Sequence, residues 1–171
     1  MNTPPLFIDN LAFSKKNERL AGTLSLTDCQ RLNELLQSAQ NNSGAADQIS
    51  YILQGKTDVA GQHLLLLSIS ANLMTTCQRC LNEMPLNLNL KFKYLIGDVS
   101  DTDVEVLDID NNDDYDLQQA SQTMDLIALI EDEIIMAMPI APAHDNDCGT
   151  LATQSGEKPN PFAVLKGFIK S

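Results

Sequence analysis

Apolar and polar residues alternate through the middle of the chain, as in strands with one face in a core and the other in water. The clearest alternation covers 86–94, where leucines and aromatic residues alternate with asparagine and lysine. A shorter one covers 49–53. Residues 63–71 are apolar at both parities, which predicts a central strand. A further short strand is expected at 104–110.

Apolar residues at intervals of three and four predict helices elsewhere in the chain. Thr27 and Gln30 have capping-box spacing before the first of these helices, and Asp125 is placed to cap the second. Asn160 and Pro161 fit the N-cap and N1 positions of the third. The expected ranges are near 28–39, 125–138 and 161–169.

Strands with hairpin-length connections, together with these helices, predict an α+β fold: an antiparallel sheet of four to six strands with about three helices. A length of 171 residues fits one domain, 1–171. Flexible loops are expected near 98–116 and 145–158. The start of the chain has no secretory pattern, and no long apolar run occurs. We therefore expect a cytoplasmic protein that does not enter a membrane.

The formal net charge is −12, which disfavours broad electrostatic binding to nucleic acid. Nine acidic residues and no basic one lie in 98–116. Such a segment either keeps the protein soluble and protects a sheet edge, or attracts a basic partner such as a ribosomal protein. Arg79, Lys91 and Lys93 form the one candidate basic patch in the middle of the chain.

Cys77 and Cys80 have the C-x-x-C spacing that lets two thiolates bind one metal ion. His144 and Cys148 follow much later and would complete the four ligands of a structural zinc site. Two ordinary free thiols in a turn are the alternative. A redox dithiol is disfavoured because a strand, not a helix N-terminus, follows the motif.

Hydrolase motifs and a glycine-rich phosphate loop are absent from the sequence, so we expect no enzyme activity. The adjacent Glu131, Asp132 and Glu133 are expected to fan around a helix and cannot converge on one ion. They are interpreted as a solvated face, or as contacts for a partner. Phe162 belongs to a closing segment that either docks on a partner or completes the core.

Three blocks of sequence occur together and in order. They are Cys-Gln-Arg-Cys-Leu at 77–81, the helix and Pro-x-x-Pro exit at 125–145, and Lys-Pro-Asn-Pro-Phe-Ala-Val-Leu at 158–165. In these blocks the chain resembles the YceD family of large ribosomal RNA subunit accumulation proteins. The resemblance implies a non-enzymatic role in the synthesis, processing or stability of 23S ribosomal RNA. Family genes often lie next to that of a large-subunit ribosomal protein, which implies an assembly partner.

Our leading hypothesis is a ribosome-biogenesis factor that binds a ribosomal protein or another assembly component, and contacts 23S ribosomal RNA directly or indirectly. The alternative is a zinc-stabilised protein-interaction module unrelated to ribosomes. A thiol oxidoreductase ranks third. Zinc is the one cofactor considered. The partner-binding candidates are Arg79, Asp125, Glu131, Asp132, Glu133, Asn160, Pro161 and Phe162.

Overall fold

The computed structural model describes residues 7–36, 47–97, 115–146 and 148. Its elements in chain order are β1 (Phe7–Ile8), α1 (Asn10–Lys15), β2 (Arg19–Ser25), a short 3-10 helix (Leu26–Asp28), α2 (Gln30–Leu36), β3 (Gln48–Thr57), β4 (His63–Thr76), β5 (Glu83–Gly97), β6 (Asp116–Gln119), β7 (Met124–Asp125) and α3 (Leu126–Ala137). This combination confirms the predicted α+β class.

The described strands form a five-stranded sheet in the order β2-β3-β4-β5-β6 and a two-stranded pair of β1 with β7. β4 is the middle strand, as its apolar sequence predicted. Four strands pair antiparallel, but β6 runs parallel to β5, which the sequence did not predict. The 18 residues between Gly97 and Asp116 explain the difference, because parallel neighbours need a crossover of about a dozen residues or more.

The core lies between one face of the sheet and the helices. α3 contributes Leu126, Ile130 and Ile134, which repeat every four residues and are each at most 1% exposed. Leu32 and Leu36 of α2 are buried beside them. Apolar residues at this spacing form one helical stripe, so burial against the sheet fixes how each helix is rotated.

The start of α2 differs from the prediction. The capping box forms at Ser25 and Asp28 of the 3-10 helix, where the Ser25 backbone N–H donates to Asp28 Oδ2 at 2.9 Å. This bond is also the main reason that the pKa of Asp28 is lowered. Thr27 lies inside the 3-10 helix, and Gln30 is the first residue of α2. The earlier serine therefore takes the role assigned to Thr27.

Helix α1 was not predicted, because the opening of the chain reads as irregular. Asp9 caps it by accepting a hydrogen bond from Ala12 N at 2.8 Å. The helix packs on β3 at Gly55, where an added Cβ would lie 2.5 Å from the Phe13 carbonyl oxygen. Glycine is thus needed at Gly55 for the close approach of the two backbones.

Several predictions lie outside the described residues: the strand at 104–110, the helix near 161–169, and Asn160, Pro161 and Phe162. The same holds for most of the loops expected near 98–116 and 145–158, although Asp116 already belongs to β6. Among the described residues, no helix has the length and apolar character needed to cross a membrane.

Candidate metal centre

The structure brings together all four of the side chains predicted as metal ligands. Cys77 follows β4 directly, and Cys80 lies in the turn before β5. His144 and Cys148 follow the C-terminal end of α3. Their sulfur and ring-nitrogen atoms all lie within 4.8 Å of one another. Two segments more than 60 residues apart therefore meet in one Cys3His cluster.

Two distances within the cluster are close to those of a tetrahedral zinc site. Zinc–sulfur bonds of about 2.3 Å and zinc–nitrogen bonds of about 2.0–2.1 Å place tetrahedral sulfurs about 3.8 Å apart and a sulfur and nitrogen about 3.6 Å apart. The Sγ atoms of Cys77 and Cys148 are 3.6 Å apart. Cys80 Sγ and His144 Nδ1 are 3.5 Å apart. The cluster therefore has the size, and the sulfur and nitrogen donors, of a closed zinc site.

The first pair is held by a tight turn between β4 and β5. Cys77 N donates to the Asn82 carbonyl, and Leu81 N donates to the Cys77 carbonyl, both at 2.9 Å. Leu81 has a φ of 60°, in the left-handed region. This conformation is unusual for leucine, so the turn and its hydrogen bonds determine it. Both cysteines consequently belong to one short connection.

Arg79, between the two cysteines, holds the second pair in place. Its Nε donates to Cys148 Sγ at 3.1 Å, and its Nη2 donates to the His144 carbonyl at 2.8 Å and to the Asn146 carbonyl. The Gln78 backbone N–H adds a hydrogen bond to the Pro142 carbonyl at 2.7 Å. Sequence reasoning missed this role of Arg79, because its acceptors are 65 or more residues away.

The surroundings of two cysteines favour their thiolate forms. Burial alone would raise the pKa of Cys77, but backbone N–H groups of Cys80, His144 and Arg79 lower it to about 5. For Cys148, burial is likewise outweighed by Arg79 and His144, and the pKa is lowered. Hydrogen bonds to a thiolate stabilise the charged form, which is the form that binds metal.

The neighbouring sulfur atoms raise the pKa values of the other two ligands. The Asn82 N–H lowers the pKa of Cys80, but burial and the sulfurs of Cys77 and Cys148 raise it overall. Hydrogen bonds with Cys148 and Cys77 raise the pKa of His144. A cation at the centre would offset the repulsion that keeps the third thiol protonated, because it favours the thiolate form of each cysteine and the neutral form of His144.

A strand follows the C-x-x-C turn, since β5 begins at Glu83. This confirms the prediction that the two cysteines do not lie at a helix N-terminus. The lowered pKa of Cys77 has another origin, the backbone N–H groups of the turn and the opposing loop. Lowering a thiol pKa does not require a helix dipole.

The acidic residues of α3 do not form the solvated face that the sequence predicted. Glu131 is 6% exposed and accepts hydrogen bonds from Arg31 Nε and Leu32 N, both at 2.9 Å. Asp132, about half exposed, also pairs with Arg31. Glu131 and Asp132 therefore connect α3 to the first turn of α2, and their predicted contact with a partner stays a prediction.

Glu133 and Asp125 also have partners within the fold. Glu133 Oε1 accepts a hydrogen bond from the Tyr94 hydroxyl at 2.7 Å, which joins α3 to β5. Burial first, and then this carboxylate, raise the pKa of Tyr94. Asp125 Oδ1 caps α3 by accepting from Ile127 N at 3.0 Å and Ala128 N at 3.1 Å. The cap is the one predicted, whereas Glu131 and Asp132 share Arg31 and only Glu133 has a separate partner.

The structure separates the three residues of the predicted basic patch. Arg79 lies in the turn beyond Glu83, whereas Lys91 lies eight residues farther along β5, a distance of about 27 Å in an extended strand. Lys93 is next on the same face, with its ammonium group 5.5 Å from the centre of the Tyr115 ring. Arg79 thus belongs to the metal centre, and Lys91 and Lys93 to the open face of the sheet.

Comparison with known proteins matches residues 65–169 to the family described as "Large ribosomal RNA subunit accumulation protein YceD". A curated protein of that name from Haemophilus influenzae is 26% identical over 177 aligned positions, which cover 94% of this chain and 93% of the relative. No solved structure matches significantly. Since the family match covers most of the chain and includes all four cluster residues, the chain belongs to the YceD family.

Proposed function

We propose that this protein supports the accumulation of 23S ribosomal RNA during assembly of the large ribosomal subunit, and that it acts by binding. The observation that carries the proposal is the family match over residues 65–169. The Haemophilus influenzae relative, which is named for large ribosomal RNA subunit accumulation, aligns along 94% of the chain. The family match contains most of β4, all of β5, α3 and the cluster, and the alignment with the relative extends over most of the other elements.

The contacts of the reactive side chains support binding over catalysis. Glu131 and Glu133 hold α3 to α2 and β5, and Asp125 caps α3. The cysteines of the cluster lie close to one another, and Arg79 donates a hydrogen bond to Cys148. These groups stabilise the fold, which suits a protein that presents a fixed surface to its partner.

A ribosomal protein or another assembly component is the partner that the charge favours. The chain has 23 acidic residues against 11 lysines and arginines. Ribosomal proteins are basic, so an acidic protein attracts them over several ångströms in dilute salt. Binding to such a partner is expected to weaken between about 50 and 200 mM salt, because that range screens exposed charges.

A deletion strain tests this function. We expect the ratio of 23S to 16S ribosomal RNA to fall, and sucrose gradients to show fewer large subunits. A plasmid copy of the intact gene is expected to restore both measurements. Normal 23S levels and normal large subunits in the deletion strain would contradict the proposed function.

We further propose that the Cys3His cluster binds one zinc ion that orders this end of the protein. Three sulfur atoms and one ring nitrogen lie within 4.8 Å of one another, two of the pairs at tetrahedral separations, and this is a usual donor set of structural zinc. With four protein ligands, no coordination position is left for a substrate. Zinc would therefore hold the 141–148 segment against the C-x-x-C turn without taking part in catalysis.

Metal analysis of protein purified without chelators tests this second proposal. We expect one zinc per chain, and loss of that zinc in Cys77→Ser. Cys29→Ala is the matched control: Cys29 is buried in the core, outside the cluster, and burial raises its pKa to about 12. Metal-free wild type, or zinc retained in Cys77→Ser, would contradict the zinc site. Bound zinc together with normal 23S RNA in the deletion strain would favour the alternative, a zinc-stabilised interaction module.

A further inference from the structure

On the side of the sheet away from the core, 16 positions of the four main strands carry no acidic side chain, and the acid Glu83 lies on the same side of β5 two rows beyond them. The pairing of β2, β3, β4 and β5 places one residue of each strand side by side in rows across the sheet. Four such rows have side chains on the outer side, and in β2 the first begins at Ser25 and the last at Arg19. One row, for example, contains Thr23, Ser50, Ser70 and Asn89. We call these 16 positions the outer face.

Charge on the outer face is opposite in sign to that of the whole protein. Ten of its positions carry neutral polar side chains, three are apolar, and three are the cations Arg19, Lys91 and Lys93. The chain as a whole contains 23 acidic residues among 171 and has a net charge of −12. The outer face is therefore a local positive region on a negative protein.

The cations lie at both edges of this face. Arg19 of β2 and Lys93 of β5 end the same row, three strand spacings or about 14 Å apart. Lys91 is two residues from Lys93 on the same strand, about 7 Å away. An extended chain that crosses the sheet would thus meet positive charge where it enters and where it leaves.

Between the cations the face is open to solvent. Each of its 16 residues is exposed or half-buried, and none of the described helices covers it. A shallow depression of about 240 Å³ lies at its centre, lined by Ser50, Ile52, Ser68, Ser70, Asn89 and Lys91. The lining supplies hydroxyl, amide and ammonium groups, which are donors for an anionic chain, although the Ser50 hydroxyl already donates to the Ser70 carbonyl at 3.3 Å.

We propose that the outer face binds the sugar–phosphate backbone of RNA, which deepens the proposed function and rests on it. Phosphate oxygens accept from serine, asparagine, lysine and arginine, the polar residue types of this face. None of the 16 positions is aromatic, and the Tyr115 ring beside the face is in contact with the Lys93 ammonium group, so phosphate contacts and not base stacking are expected to dominate. Contact is through the backbone, and the acidic remainder of the protein limits it to this surface.

RNA binding measured with purified full-length protein tests the inference. The probe is a fluorescein-labelled transcript of a 23S ribosomal RNA fragment, followed by anisotropy at several salt concentrations. Lys91→Gln/Lys93→Gln is expected to weaken binding at least tenfold at 50 mM salt. A plot of log affinity against log salt concentration should become less steep by about 1.4, because each lost phosphate contact reduces the steepness by about 0.7 on single-stranded RNA.

The matched control is Lys15→Gln/Lys16→Gln, which removes the same charge at the end of α1. This pair lies outside the outer face, and we expect affinity within twofold of wild type. Equal unfolding midpoints of the two double variants would show that a difference in affinity is not a folding defect. Absence of RNA binding by wild type, or equal losses in both variants, would overturn the inference. Displacement of RNA by polyglutamate of the same charge would also overturn it, because the face would then recognise any polyanion.

The deletion strain separates this inference from the proposed function. If wild type restores 23S RNA and Lys91→Gln/Lys93→Gln does not, both are supported. Full restoration by the lysine variant would overturn the RNA-binding face and leave the proposed function intact. No 23S defect in the deletion strain would instead remove the proposed function.

Discussion

The core beneath the sheet and the Cys3His cluster are stabilised in different ways. In the core, apolar residues such as Ile130 and Leu67 are at most 1% exposed and pack on one another. In the cluster, polar contacts from Arg79 and Gln78 hold a loop that is otherwise poor in buried apolar residues. Burial of apolar residues therefore orders the sheet and the helices, whereas polar contacts hold the loop and, under the zinc proposal, the bound metal would add to them.

The largest expected effect is on the cluster. Cys80→Ser removes one of four ligands, and structural zinc sites contribute apparent binding energies of about 10–16 kcal/mol in small peptides. We expect the backbone amides of 141–148 to lose their protection from hydrogen exchange, while the amides of β4 and β5 stay protected. Loss of protection throughout the sheet would contradict the separation of the two regions.

The next largest effect is expected in the core. Ile130→Ala should lower the free energy of unfolding by about 2–5 kcal/mol, because it leaves a cavity beneath the sheet. Zinc content should stay the same. Ile140→Ala is the control, since Ile140 is fully exposed, and a change within about 0.5 kcal/mol is expected. A similar loss in both variants would show that α3 does not pack as described.

A smaller effect is expected where α3 meets α2. Glu131→Gln should reduce the free energy of unfolding by about 1.5–3 kcal/mol, because the Leu32 N–H and Arg31 lose a charged acceptor in a buried position. Asp132→Asn removes an exposed partner of the same arginine, and a change of about 0–1 kcal/mol is expected. Denaturant unfolding measures both, and a larger loss in Asp132→Asn would contradict the assignment.

The smallest effect is expected from the residue that supports the ligands without being one. Arg79→Gln should weaken zinc affinity about 10- to 100-fold, the usual consequence of removing a hydrogen-bond partner of a metal ligand. Competition with a zinc-binding dye measures it. One zinc per chain should still bind at saturation. Unchanged affinity would show that the Arg79 contacts with Cys148 and His144 do not position the ligands.

Local patterns in the sequence were sufficient to predict much of the fold and the four candidate metal ligands. The alternation in β5 and the apolar run in β4 follow from burial, and Asp125 caps α3 as its position predicted. The four ligands could be named because thiols and imidazole are few in this chain. Spacing identified each pair, but only the fold brings the two pairs together.

What the sequence did not reveal depends on contacts between distant residues. Arg31 and Glu131 are 100 positions apart, and nothing near Glu131 distinguishes it from its exposed neighbour Asp132. Arg79 resembled a surface cation because its acceptors lie in another segment. The parallel pairing of β6 likewise follows from the long connection before it, and not from any pattern within its four residues.

X-ray absorption at the zinc edge of chelator-free protein tests most directly the claim that one metal ion joins the two segments. One zinc per chain is expected, with three sulfur ligands at about 2.3 Å and one nitrogen ligand at about 2.0–2.1 Å. Cys29→Ala should give the same spectrum. A zinc shell of oxygen and nitrogen alone, or protein that contains no zinc, would contradict the claim.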